Sequence, residues 1–316
     1  MHPNKRIFIA GHNGMLGSAV VRLLEKRGYT NLILKTRKEL DLRDSAAVNK
    51  FFVSAKPEVV ILTAARVGGI QANINYPGEF LYENMMIQSN TLHESFLNNV
   101  EKFVFLGSSC IYPSDCVQPM KEEHLMSGKL ERTNEGYALA KITGIKLLEF
   151  YQKQYGFQGL SLIPCNLYGT NDSFDPILSH VLSALVKKMV DAAATNQQAV
   201  SVWGSGVARR EFMHVDDAAA AILHFMNTKV PATLVNIGWG EDISIKDLAV
   251  KIAKLSNFKG EIIWDVSKPN GMIRKCMDVS KMKEYGYTPQ IALEVGILKT
   301  IEEYKMLSKE MTGETK

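Results

Sequence analysis

Ile7-Phe8-Ile9-Ala10-Gly11-His12-Asn13-Gly14-Met15-Leu16-Gly17 reads as a short apolar strand, a turn with three glycines spaced by three, and the opening of a helix. Glycine at 11, 14 and 17 permits a tight turn and a close approach of backbone to a pyrophosphate, which the N-terminus of the following helix attracts. Three glycines can also be only a loop. The strand before them and the helix after them favour a dinucleotide site built on Gly11, Asn13, Gly14, Met15, Leu16 and Gly17.

Working outward, the strand-then-helix unit repeats. Apolar runs over 6–10, 32–35, 59–63, 102–106 and 159–163 alternate with helical patterns over 15–27, 45–55, 81–98 and 137–155. Such alternation predicts an α/β fold, a Rossmann doubly wound parallel sheet with helices on both faces. Val59-Val60-Ile61-Leu62 is apolar throughout, as a strand buried on both faces should be. Past Asn166 the pattern loosens into loop-like Tyr168-Gly169-Thr170-Asn171-Asp172 and Trp203-Gly204-Ser205-Gly206. We therefore expect a dinucleotide-binding domain over 1–170 with a return segment near 212–240. A smaller mixed α/β substrate domain would occupy most of 171–316, its tail fraying from Ser308.

The chain has 316 residues, 46% hydrophobic and 22% charged, the composition of an ordinary globular protein. Its +4 charge, from 37 basic and 33 acidic residues, is spread without a long basic run. That favours an anionic small ligand and gives little support to nucleic acid. No run approaches the ~20 apolar residues of a membrane span. Met1-His2-Pro3-Asn4-Lys5-Arg6 lacks the core of a signal peptide, so a cytoplasmic location is expected. Cys110, Cys116, Cys165 and Cys276 form no Cys-x-x-Cys pair, and reduced thiols without metal are expected. Cys165 and Cys276 read as buried filler.

A carboxylate about 20 residues past the glycines would bind a free ribose 2′-hydroxyl and repel a 2′-phosphate. Here the second strand ends Leu34-Lys35-Thr36-Arg37-Lys38, with no acid before Glu39. The planar fork of Arg37 suits a 2′-phosphate, so NADP(H) is the expected cofactor. Asp41 lies near the adenine or caps the helix starting at Ser45.

Gly136-Tyr137-Ala138-Leu139-Ala140-Lys141 places a phenol and an ammonium on one helix face. The cation favours ionisation of a tyrosine whose free pKa is about 10. Such a tyrosine can exchange a proton with a carbonyl oxygen. With 11 tyrosines, about one Tyr-x-x-x-Lys is expected by chance, but its company raises it. Upstream, Gly107-Ser108-Ser109-Cys110-Ile111-Tyr112-Pro113 follows an apolar strand. Ser108 can hold the same oxygen, and Cys110 adds a thiol that carbonyl reduction does not require.

With these residues assembled, the chain resembles the extended short-chain dehydrogenase/reductase family, and within it the enzymes that act on GDP-4-keto-6-deoxy sugars. The resemblance runs through Val67-Gly68-Gly69-Ile70, Tyr82-Glu83-Asn84-Met85-Met86, Asn166-Leu167-Tyr168-Gly169, Ser179-His180-Val181 and Arg210-Glu211-Phe212-Met213-His214. It implies catalytic roles for Ser108, Tyr137 and Lys141, and epimerising roles for Cys110 and His180. Asn166, Lys188, Trp203 and Arg210 would then contact the GDP-sugar. Lys188 and Asn13 stand where the family often has arginine. The implied reaction is epimerisation at C3 and C5 followed by NADPH-dependent reduction at C4, in a homodimer.

His180 by itself would more often be a packed or surface histidine. Trp203 could be core, and Arg209 merely solvated. Rival readings are a 4-reductase that does not epimerise, a UDP-sugar 4-epimerase holding NAD, and a non-catalytic NADP-binding sensor. Arg37 and the Cys110/His180 pair count against the epimerase. An intact Ser108, Tyr137 and Lys141 counts against the sensor.

Overall fold

The computed structural model describes residues 1–175, 179–231, 233–268 and 271–312. The glycine turn joins β1 (Ile7–Ala10) to α1 (Met15–Lys26). There follow β2 (Leu32–Ile33), α2 (Ser45–Ala55), β3 (Val59–Leu62), α3 (Ile70–Asn75), α4 (Pro77–Leu97) and β4 (Lys102–Leu106). Next come α5 (Glu135–Tyr155), β5 (Gly159–Pro164), β6 (Asn166–Tyr168), α6 (Val181–Ala194), β7 (Ala199–Trp203), β8 (Arg209–His214), α7 (Val215–Asn227) and β9 (Leu234–Ile237). The rest is β10 (Asp242–Ser244), α8 (Ile245–Leu255), β11 (Glu261–Asp265), β12 (Arg274–Lys275), α9 (Ser280–Glu284) and α10 (Leu293–Thr312).

The main sheet is parallel in the order β2-β1-β3-β4-β5-β9. All four residues of β1 and all four of β3 are buried, as their unbroken apolar runs require. Each of the large side chains among them contributes about 2 kcal/mol as an upper figure. Chain order reverses between β1 and β3, and the crevice at that switch point is where a doubly wound sheet takes its ligand. After a long excursion the chain returns, with α7 packed on α1 and β9 beside β5.

A second apolar cluster is built from α6, α8, α10 and the strands around them. There β8 pairs antiparallel with β10 and parallel with β6 and β12, while β7 pairs with β11. The register Lys275↔Arg210 sets two cations side by side on neighbouring strands.

Three local expectations fail for visible reasons. The second strand stops at Ile33, because Thr36 N–H donates to Glu39 Oε2 at 2.8 Å and draws the chain into a turn. The short helix α3, opened by Gly69, carries too few residues to show a period in the sequence. The chain stays helical from Ser308 to Thr312 instead of fraying. Upstream in α10, Ile297, Ile301 and Tyr304 are buried, and Tyr304 Oη hydrogen-bonds Asp191 at 2.7 Å. Residues 313–316 lie outside the described residues. No described helix is long and apolar enough to cross a membrane.

Candidate active site

One cleft of about 1390 Å³ runs from the glycine turn to the second cluster. Every residue assigned a site role from the sequence lines it: Gly11, Asn13, Gly14, Met15, Leu16, Gly17, Arg37 and Asp41 at one end, Ser108, Cys110, Tyr137 and Lys141 in the middle, and Asn166, His180, Lys188, Trp203 and Arg210 beyond.

The glycine turn fits a diphosphate. Gly11 has φ +92°, and a Cβ there would lie 2.6 Å from Ala64 N. A Cβ at Gly17 would collide with Gly11 O, whereas at Gly14 only Gly11 O lies near, at 3.4 Å. Gly14 begins α1 without a side-chain cap, which leaves the helix start open to an anion, and buried His12 Nδ1 has no hydrogen-bond partner. These groups would hold the pyrophosphate of a dinucleotide.

Ionic pairs crowd the adenosine end. Asp41 is not the cap of α2; that is Asp44, whose carboxylate accepts from Ala47 N–H at 3.0 Å. Asp41 instead takes Arg43 Nε at 3.0 Å and Arg43 Nη2 at 2.6 Å, and this pairing holds its carboxyl down to about 2. Arg37 stands looser, 4.0 Å from Asp41 and 3.9 Å from Glu83, with its side chain 68% exposed. That exposure keeps its fork available to a phosphate.

In the middle, Ser108 caps the short turn Ser109–Ile111 and accepts from Cys110 N–H at 3.5 Å. That turn swings Cys110 back beside Ser108, into a buried position. Burial pushes the thiol up, opposed by the charges of Lys275 and Lys141 and by a hydrogen bond with Ser108. Burial thus favours the neutral thiol, and the neighbouring charges favour the thiolate. The Tyr137 hydroxyl is also pushed up by burial, with Cys110 adding to it and a hydrogen bond from Ser108 opposing. Lys141 does not lower it here: its ammonium donates to Leu106 O at 2.8 Å and lies 5.8 Å from the Tyr137 ring centroid. Burial brings Lys141 itself down to about 8.

At the far end the polar side chains rest on backbone. Lys188 Nζ donates to Ser201 O at 2.8 Å, Asn166 Nδ2 to Glu211 O at 2.8 Å, and Arg210 Nη1 to Met272 O at 2.6 Å. Trp203 is 63% exposed, with Lys268 Nζ 5.5 Å above its ring. His180 sits exposed just before α6. Arg209 is not merely solvated, since it pairs with Asp242. His214 is buried and caps α7, accepting from Asp216 N–H at 3.2 Å.

Three cations in the cleft were not singled out in the sequence: Arg43, Arg66 and Lys275. The Lys275 ammonium has no hydrogen-bond acceptor or salt-bridge partner among the described residues, and burial pulls its pKa down. Its backbone is set by the β12–β8 register and by the next two residues, where Cys276 N–H donates to Gln118 Oε1 at 2.9 Å and Met277 N–H to Glu211 Oε2 at 2.8 Å. Nothing local in Arg274-Lys275 announces this. Chemically, the cleft offers a proton donor and a hydrogen-bond donor for one oxygen, a thiol beside them, and cations for phosphates.

Residues 7–238 match the NAD dependent epimerase/dehydratase family. The GDP-L-fucose synthase of Escherichia coli is 50% identical over 307 residues, covering 94% of this chain and 96% of that one. A GDP-6-OMe-4-keto-L-xylo-heptose reductase from C. jejuni superposes with TM-score 0.91 at 39% identity, over 97% of this chain and 99% of that one. A GDP-L-fucose synthetase from Naegleria fowleri bound to NADP superposes with TM-score 0.88 at 27% identity, over 99% of this chain and 97% of that one.

Proposed function

The chain belongs to the NAD dependent epimerase/dehydratase family, and we propose that it converts GDP-4-keto-6-deoxy-D-mannose to GDP-L-fucose, inverting C3 and C5 and then reducing C4 with NADPH. The observation that carries this reading is Cys110 in the same buried turn as Ser108, in a cleft that also holds Tyr137 and His180.

A ketone at C4 acidifies the hydrogens on C3 and C5, so either centre can invert through an enolate without ring opening. Each inversion needs a base on one face and an acid on the other. Cys110 takes the proton and His180 returns one from the opposite face. Lys275 and Lys141 supply the positive charge that makes a buried thiolate attainable. Ser108 and Tyr137 hold the C4 oxygen and stabilise the enolate. When bound, NADPH supplies the hydride for C4. Tyr137 then gives its proton to the C4 oxygen, and burial suits this role because the proton stays on the phenol until an alkoxide develops. Lys141 holds the cofactor ribose. Arg210, Lys188, Asn166 and Trp203 bind the GDP-sugar, and Arg37 the 2′-phosphate.

The cofactor is thus assigned to the first core and the sugar nucleotide to the second. A cytoplasmic homodimer fits the reading, with Tyr82, Phe150 and Tyr155 presenting exposed apolar faces on α4 and α5. Sedimentation at the monomer mass would refute the dimer.

A second reading, reduction at C4 without epimerisation, is favoured by the likeness to the heptose reductase. Product analysis separates them. The purified protein with GDP-4-keto-6-deoxy-D-mannose and NADPH should yield GDP-L-fucose by NMR; GDP-D-rhamnose or its C4 epimer would establish the simple reductase.

A further inference from the structure

We propose that Arg43 is the residue that makes the adenosine end accept a 2′-phosphate, by masking the Asp41 carboxylate so that Arg37 can act as the phosphate ligand. The inference rests on the assignment of NADP to this end of the cleft.

The cleft wall here carries a carboxylate where a phosphorylated ribose should not tolerate one. Two unlike charges at contact cancel for a third charge nearby, whereas a bare carboxylate would repel the phosphate dianion. Arg43 is built to do the cancelling. Its Nε and Nη2 both face Asp41, with Nε 3.0 Å from Oδ1 and 3.2 Å from Oδ2, and Nη2 2.6 Å from Oδ2. Its remaining Nη1 lies 3.1 Å from Glu83 Oε2. All three nitrogens of the guanidinium are thus engaged by carboxylates, and Arg43 is poorly placed to serve as the phosphate ligand itself.

Glu83 fixes the arrangement from α4. It is shared with Arg66, whose Nη1 approaches the other oxygen at 2.5 Å, and its side chain is only 14% exposed. Arg37 reaches the same two carboxylates at 3.9 and 4.0 Å, too far for a hydrogen bond, and so keeps its donors for an incoming group. Division of labour follows: Arg43 neutralises and Arg37 binds. Arg43 is accordingly a positioning residue.

The test compares 2′,5′-ADP with 5′-ADP by calorimetry on the full-length protein, so that a general loss of the site cancels in the ratio. Wild type should prefer 2′,5′-ADP. Arg43→Leu should lower that preference by roughly fivefold, a modest figure because the pair is partly solvated. Asp41→Asn added to Arg43→Leu should recover most of the loss, since the uncovered charge is then gone. An unchanged ratio in Arg43→Leu, or no recovery in the double variant, would overturn the mask. Equal binding of both nucleotides by wild type would instead overturn the NADP assignment, and the two failures are distinguishable.

Discussion

The middle and the adenosine end of one cleft handle charge in opposite ways. Around Cys110, Tyr137, Lys141 and Lys275 the residues are buried or half-buried, and desolvation pushes every one of the four groups toward its neutral form. Around Arg37, Asp41, Arg43 and Glu83 they are partly solvated and paired within 4.0 Å. Burial holds the proton on the thiol and the phenol and loosens it on the lysines, so charge appears in the middle only as the reaction develops it. Pairing fixes charge in place, which is what recognition of a phosphate requires. The middle is suited to chemistry and the end to selection.

The sharpest way to break this contrast is Tyr137→Phe. It removes the proton donor and leaves Ser108 and the cation cluster, so kcat for reduction should fall by about 10²- to 10⁴-fold with NADPH binding retained. A smaller loss would move the proton donor elsewhere.

Lys275→Met should slow both alkylation of Cys110 by iodoacetamide and deuterium exchange into the keto sugar, by roughly 10- to 100-fold. Lys275→Arg should keep most of the exchange, since the charge remains. Equal alkylation rates across the three proteins would show that Lys275 does not serve the thiol.

A pH profile reads Lys141 directly. Its charged form prevails below its folded pKa of about 8. The value is depressed, so kcat/KM for NADPH should be full below pH 8 and fall about tenfold per unit above it. For stability the sign is the reverse. Below pH 8 the unfolded and folded chains both hold this proton and the buried charge costs stability, a cost that fades as pH rises from 8 toward the unfolded value. A profile flat to pH 10 would contradict the assignment.

Smallest is the effect at the paired end. Arg37→Leu should raise KM for NADPH by roughly tenfold or less and leave kcat unchanged, because the contact is equally strong in ground and transition states. A fall in kcat would mean that the two ends are coupled rather than specialised.

Local chemistry was legible in the chain. Glycine spacing, apolar runs and Tyr137 with Lys141 on one helix face each depend on neighbours within a few residues, and the fold and the cleft follow from them. Arg43 was not legible. Its meaning comes from Asp41 two residues away and Glu83 on a different helix, and only the folded chain brings them together. Lys275 depends on pairing with β8, more than sixty residues earlier in sequence. The burial that pushes the Cys110 thiol up escaped for another reason: it is set by how the turn Ser109–Ile111 packs, not by its residue types.

Deuterium exchange without reductant tests the central claim most directly, that a thiol inside a reductase's oxygen-binding site also inverts carbon. GDP-4-keto-6-deoxy-D-mannose would be incubated with wild type and with Cys110→Ser in deuterated water, without NADPH, and followed by NMR. The account predicts deuterium at C3 and C5 with wild type and little or none with the variant. Absence of exchange with wild type, or equal exchange with both, would contradict it.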